Sequence, residues 1–386
     1  MIETSSGYGR DVLRGIMRYI RSHEEWTVFL EHRALTSELP RWLADWHGDG
    51  VISRSPTSWL WETARRNGVP LVNLVDRREL RTAPSVFSDQ EAIGRVGAEH
   101  LLERGFSRFG FCGFADENWS DGRGRGFIER LRSASCAVEV YESAWMGPDV
   151  RAWDEEQRAL CAWVGGLPKP CGILACNDLR ARQVLEACRL CGLAVPEEVA
   201  VLGVDNDELL CQLCHPPLSS VIPDTEQIGY QAAELLARMM RGEEVNSSLL
   251  RLPPLGVATR QSTDSLAISD PQIAAAARFI REGACRGVSV GDVVRHVSLS
   301  RSALERGFRK YLRRSPQQEI RHVQLKRCKD LLAETDLPME RIAQLCGFRH
   351  PEYMHVVFKR TFHTTPGAFR KVVRGGKGGG GGTSRA

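Results

Sequence analysis

The stretch "IAQLCGFRHPEYMHVVFKRTFHTTPGAFR" (342–370) mixes cations, aromatics and turn residues, and it holds no constellation of reactive side chains. Gly347-Phe348 separates a short apolar-periodic segment from a longer one, which reads as a helix, a tight turn and a second helix. Sliding the segment back by fifty positions finds a second copy. Phe308-Arg309-Lys310 lies over Phe358-Lys359-Arg360, Ser315-Pro316 over Thr365-Pro366, and Leu304 over Met354. Upstream, "VGDVVRHVSLS" (290–300) matches "MERIAQLCGFRH" (339–350) once one extra residue is allowed in the second turn, with Val297-Ser298-Leu299 as the turn of the first copy. The pattern is a helix-turn-helix, twice.

Periodicity divides each second helix into two faces. Leu304, Phe308 and Tyr311 recur at i, i+4, i+7 and should face a core, leaving Arg301, Ser302, Glu305, Arg306 and Arg309 outside. In the second copy Tyr353 or Met354 with Val357 and Phe358 should face inward, and His350, Glu352, His355, Lys359 and Arg360 outward. Arg, Ser, His and Glu near the start of a recognition helix reach base edges in the major groove, and cations further along neutralise phosphates. Between the copies, "SPQQEIRHVQLKRCKDLLAETD" (315–336) is an amphipathic helix able to hold both units, so that two reading heads would enter consecutive groove faces about 34 Å apart.

Charge supports the same partner. The net charge of +4 is uneven: Asp270 to Arg374 carries 21 Lys+Arg against 10 Asp+Glu, whereas residues 1–269 carry 29 against 38. An acidic body joined to a basic C-terminal third suggests that only that third meets a polyanion, which the two helix-turn-helix motifs specify as double-stranded DNA.

Residues 1–260 alternate short apolar runs, such as "GVIS" (50–53), "PLVNLV" (70–75), "RFGFCGF" (108–114), "CGILAC" (171–176) and "VAVLGVD" (199–205), with helical patterns. That alternation predicts an α/β architecture of two parallel-sheet lobes, with a ligand crevice at the carboxyl ends of the strands. The opening "MIET" reads as the tail of a first strand whose beginning lies upstream. The polar segment around 261–270 reads as a linker, residues 271–374 as an all-α domain with the two helix-turn-helix motifs, and the glycine-rich 375–386 as a disordered tail.

The segment 342–370 resembles the second-motif signature of the AraC/XylS family of transcription regulators. Pro351-Glu352 stand where the family usually has a serine, which bears on base preference and not on fold. "SDQEAIGRVGAEHLLERGFSRFGFCG" (88–113) and "LACNDLRARQVLEACRLCGLAVPEEVAVLGVDND" (174–207) are similar to the ligand-binding core of LacI/GalR-type regulators and periplasmic sugar-binding proteins. Together with "GVDNDELLCQLCHPPLSSVIPDT" (203–225) they make nearly the whole chain resemble the xylose-operon regulator (XylR-like) group. The resemblance implies a cytoplasmic homodimer that binds operator DNA and a pentose or related sugar and meets RNA polymerase, most simply as an activator. It places Asp89, Arg123, Asn177 and Asp205 at sensor positions that contact ligand, with Arg125 the alternative to Arg123. Carboxylates would accept from sugar hydroxyls and a guanidinium would donate with two prongs. Asp89, like Asp178, also has the plainer reading of a helix N-cap. Tyr8, Trp59 and Trp119 follow strand signals and are the candidates for stacking on the sugar's C–H face.

Other readings lose on context. Cys188-x2-Cys191 with Cys211-x2-Cys214 has zinc-site spacing, but the first pair sits at i, i+3 on a helix beside Val184 and Leu185, where cysteine packs as a small apolar residue. Cys211-x2-Cys214-His215 spells a haem-attachment motif without an export signal. Neither a Gly-x-Ser-x-Gly elbow nor a Walker loop occurs, so no catalysis and no cofactor or metal is expected. The rival class is a sugar- or metal-binding protein with an incidental basic tail.

Overall fold

In the computed structural model the chain forms two compact units, Met1–Ala267 and Ile268–Ala386. The structure describes residues 1–30, 48–54, 58–76, 83–145, 147–243, 245, 249–264, 268, 270–312 and 314–375. The glycine-rich tail beyond 375 therefore lies outside the described residues.

The first unit has two lobes, each built on a sheet. Lobe 1 starts with α1 (Gly7–His23), β1 (Val51–Ser53), α2 (Ser58–Arg66), β2 (Leu71–Asn73) and β3 (Ser85–Ser88). The chain then crosses to lobe 2 for α3 (Gln90–Glu103), β4 (Phe109–Ala115), α4 (Asn118–Ser133), β5 (Val138–Ala144) and α5 (Trp153–Gly166). It continues there through β6 (Cys171–Ala175), α6 (Asp178–Leu190), β7 (Val199–Val204), α7 (Glu208–Leu213) and β8 (Ser219–Ile222). Next, α8 (Thr225–Met240) and β9 (Leu249–Leu252) return to lobe 1, and β10 (Gly256–Ala258) closes lobe 2. Three crossings, near Asp89, Pro223 and Pro254, thus join the lobes.

Lobe 1 has strand order β1-β2-β3-β9, all parallel; lobe 2 has β10-β8-β7-β6-β4-β5, parallel except for β10. Strands β6 and β7 are buried along their whole length, which is why their sequences run apolar without alternation. The backbone of Met1 bonds to Ile52 of β1 and to Arg54 just after it.

Helix packing in lobe 1 depends on two glycines. A Cβ at Gly15 of α1 would run into the Glu226 carbonyl oxygen of α8, and one at Gly229 of α8 into the Val12 carbonyl oxygen of α1. Only hydrogen side chains let these backbones touch. Gly94 and Gly126 do the same between α3 and α4.

Residues 261–263 depart from expectation. They are no linker but a 3-10 turn sewn into lobe 2. Ser262 donates to the Val201 carbonyl at 2.6 Å and accepts from the Ser219 N–H at 2.8 Å, while Thr263 bonds His100 of α3 at 2.8 Å. Composition marked these residues as polar, but the Ser262 hydroxyl satisfies buried backbone groups and that of Thr263 the side chains of His100 and Ser219.

The second unit comprises α9 (Pro271–Gly283), α10 (Val290–His296), α11 (Arg301–Leu312), α12 (Pro316–Glu334), α13 (Met339–Leu345), α14 (Pro351–Phe362) and α15 (Pro366–Gly375). It holds two cores: one includes Ile273, Ile280, Val293, Leu304 and Phe308, the other Leu332, Ile342, Met354, Val357 and Phe358. Capping boxes at Ser289/Asp292 and Ser315/Gln318 set where α10 and α12 begin.

Gly229→Ala should lower the stability of the sensor unit by about 1–3 kcal/mol, the usual range for overpacking. Gly165→Ala, in open space on α5, should be neutral or stabilising. Thermal denaturation of the two variants beside the parent checks the contrast.

Candidate functional site

The strand ends of the two lobes face one another across a crevice, and Arg123 sits there with all three guanidinium nitrogens bonded. It projects from α4 and is only 3% exposed. Its Nε donates to Gln90 at 2.8 Å, one terminal nitrogen to the Cys176 carbonyl, and the other to Asp205 at 3.0 Å. Trp119, one turn earlier, lies beneath the guanidinium at 5.2 Å. Arg125, the alternative, points away and pairs with Glu91 on the outside at 3.3 Å. Two positions along the helix decide it: the twist carries 123 toward β6 and β7 and 125 toward solvent.

Asp205 ends β7 with φ +102, followed by Asn206 at φ +51. Two consecutive non-glycine residues in this region constitute stored backbone strain, which turns the Asp205 carboxylate into the crevice. Burial raises its pKa, and Arg123 and Arg54 pull it back down.

Lobe 1 supplies Tyr8, whose hydroxyl shares a hydrogen bond with Ser88 at 3.3 Å. Burial pushes its pKa up to about 12. Arg54, directly after β1, lies over the Tyr8 ring at 4.1 Å and pairs with the buried carboxylate of Glu3. Burial lowers the Arg54 pKa to about 10, against the pull of Asp205 across the crevice. Among the described residues, the Gly7 N–H donates to Asp207 at 3.2 Å and the Asn118 amide to the Asp76 carbonyl at 3.0 Å, joining the lobes directly.

Asp89 and Asn177 both cap helices. Asp89 accepts from Ala92 N–H at 2.9 Å to start α3, at the first crossing, and Asn177 accepts from Arg180 N–H at 2.8 Å to start α6. The capping alternative thus holds for Asp89, leaving its second oxygen at the crossing. It does not hold for Asp178, which lies inside α6. There its carboxyl accepts from the Ser220 hydroxyl at 2.6 Å and the Asp207 N–H at 2.8 Å.

Trp119 reaches the site through its contact with Arg123. Trp59 sits in the first turn of α2, 38% exposed. An aromatic wall missed in the sequence forms from Trp145 and Phe114, stacked at 5.6 Å, with Trp119 edge-on to Trp145 at 5.3 Å. Glu3, Arg54 and Ser88 were also missed, although Arg54 follows β1 directly and Ser88 ends β3. Cys188, Cys211 and Cys214, three of the four cysteines with zinc spacing, pack in the lobe 2 core, where burial pushes their thiols up, and Cys191 is exposed.

In the second unit Arg301, Ser302, Arg306 and Arg309 are exposed on α11. Glu305 is half-buried and pairs with Arg301 at 3.6 Å. His350 precedes α14 as its N-cap residue, and Glu352, His355, Lys359 and Arg360 are exposed along it. Between Tyr353 and Met354 the structure is unambiguous: Met354 is buried and Tyr353 is 51% exposed, its hydroxyl accepting from Arg321 at 3.2 Å. Val356, apolar by type, is 63% exposed on the same helix.

Burial, with the Asp205 charge adding to it, raises the Asp178 pKa from 3.8 to about 8. The folded state therefore holds a proton there that the unfolded chain has lost, and this contribution to stability declines as pH rises through that window. Denaturation series from about pH 5 to about pH 8 should show a steeper loss for the parent than for Asp178→Asn. Parallel slopes would refute the assignment.

Residues 98–263 match the model of a periplasmic binding protein-like domain and residues 293–372 that of a helix-turn-helix domain. The xylose operon regulatory protein of Haemophilus influenzae is 34% identical over 378 residues, covering 94% of this chain and 95% of that protein. Its counterpart from Escherichia coli K12 is 32% identical, with 96% of each chain covered. A solved structure described as a xylose-binding transcription activator superposes with a TM-score of 0.82 at 31% identity, covering 96% of this chain and 97% of its own. Among the described residues no helix is long and apolar enough to cross a membrane. A binding-protein crevice and a double helix-turn-helix, matched together along nearly their whole length, place the chain in the family of xylose operon regulatory proteins, which are transcription regulators.

Proposed function

We propose that the crevice binds a neutral monosaccharide, a pentose first of all, and that its occupancy sets the affinity of the helix-turn-helix unit for operator DNA. The observation that carries this reading is the Arg123–Asp205 pair, held at 3.0 Å at the strand ends. It offers donor and acceptor edges side by side with no net charge, the complement of vicinal hydroxyls. Arg54 is likewise neutralised by Glu3. A sugar carboxylate would meet no unpaired cation at either guanidinium, so the arrangement favours aldoses over uronic acids. The Asn177 amide and the second oxygen of Asp89 add polar edges, Tyr8 lines the lobe 1 side, and Trp119 gives an apolar wall.

In the DNA-binding unit, Arg301, Ser302, Glu305, His350, Glu352 and His355 are assigned to base edges, and Arg306, Arg309, Lys359 and Arg360 to phosphates. The names of the relatives support activation of pentose-use genes, with a cytoplasmic homodimer and RNA polymerase as the remaining parts of the reading. By linkage, a sugar that strengthens DNA binding must itself be bound more tightly in the presence of operator, by the same factor.

Thermal shifts with xylose, other pentoses, hexoses and glucuronate test the sensor. A saturating pentose at 100 Kd should stabilise by about 2.7 kcal/mol, and glucuronate should not. Asp205→Asn should weaken pentose binding by roughly 10- to 100-fold, the worth of a hydrogen bond to a charged group. A larger shift with glucuronate than with any aldose sinks the neutral-sugar reading. On DNA, Lys359→Ala should lower the slope of log affinity against log salt by about 1 and weaken all sequences alike.

A further inference from the structure

The two reading heads are joined at one buried polar side chain. Along α12, Ile320 and Val323 pack into the first core, whereas Leu325, Cys328, Leu331 and Leu332 pack into the second. Gln324 stands between these sets, 4% exposed. Its amide nitrogen donates at 3.1 Å to the Ala284 carbonyl, which belongs to the first half, and at 3.1 Å to the Gly347 carbonyl, in the turn of the second helix-turn-helix. Its oxygen accepts from Arg321 at 3.0 Å. Arg321 in turn lies 5.0 Å from the Phe348 ring and 4.9 Å from that of Tyr353, both in the second head.

The turn itself is pressed against the first half. Gly347 has φ +75, and a Cβ there would come within 2.7 Å of the Ala284 carbonyl oxygen. Backbone therefore meets backbone, with both hydrogens of one amide spanning the seam. Apolar contacts alone would let the halves slide, because they carry no direction. Two hydrogen bonds from a single planar group do carry direction, and a buried donor left unpaired is costly.

We propose that Gln324 is a positioning residue that fixes the second reading head against the first, so that the protein accepts operator boxes at one spacing only. It does not touch DNA. It sets where α11 and α14 stand when they do.

The test uses the full chain and a duplex recovered by selection from a randomised DNA pool, together with versions carrying two or five extra base pairs between the boxes. For the parent, five added base pairs put the boxes on opposite faces and should cost at least tenfold in affinity, since the second head's contribution through linkage is on the order of 100-fold or more. Gln324→Ala, and Gln324→Met as a variant of similar length without donors, should bind the selected duplex roughly tenfold more weakly and show a smaller ratio between the selected and lengthened duplexes. A general weakening with the spacing ratio unchanged would mark Gln324 as a structural residue only and overturn the proposal. So would a parent protein indifferent to the five-base-pair insertion, a result that needs no variant to fold.

Discussion

The elements that border the crevice depend on the burial of the Arg123 guanidinium. Taking Arg123 out of water is costly, and the cost is offset only because carbonyl, amide and carboxylate acceptors converge on its nitrogens. Those acceptors come from the start of α3, the end of β6 and the end of β7, so the ion ties together the elements that border the crevice. The strained backbone at Asp205 persists because the pair with Arg123 over-determines it. A ligand that engages this pair touches groups already fixed in place, which reduces the ordering cost of binding.

The DNA-binding half follows a different logic. Its helices begin and end by local rules: capping boxes, a proline at the first turn, a glycine in the turn. Its cores are small and separate, and α12 shares its two ends between them. Such a structure needs a directional contact to become one body. Gln324 and the bare backbone of Gly347 provide it.

Much of this was legible in the residues. The fifty-residue repeat, the inward set of Leu304, Phe308, Val357 and Phe358, and the strands at 51–53, 109–115, 171–175 and 199–204 all follow from periodicities of a few residues. What was missed has a common cause. Arg54 and Glu3 are fifty-one positions apart and mean nothing separately. Trp145 joins the aromatic wall only because β5 lies beside β4. Thr263 and Ser262 looked like linker because their hydroxyl partners, on α3, β7 and β8, are distant in the chain.

The sequence by itself determined the two-unit plan, the parallel-sheet lobes and the paired helix-turn-helix, because helix and strand are written in spacings of two to four residues. Tertiary structure alone decided that Arg123 and not Arg125 turns toward β6 and β7, that Asp89 and Asn177 cap α3 and α6, that Met354 and not Tyr353 turns inward, and that Gln324 closes the seam. Each of these depends on where a second element lies. Period says which side of a helix is apolar; only packing says what waits on the other side.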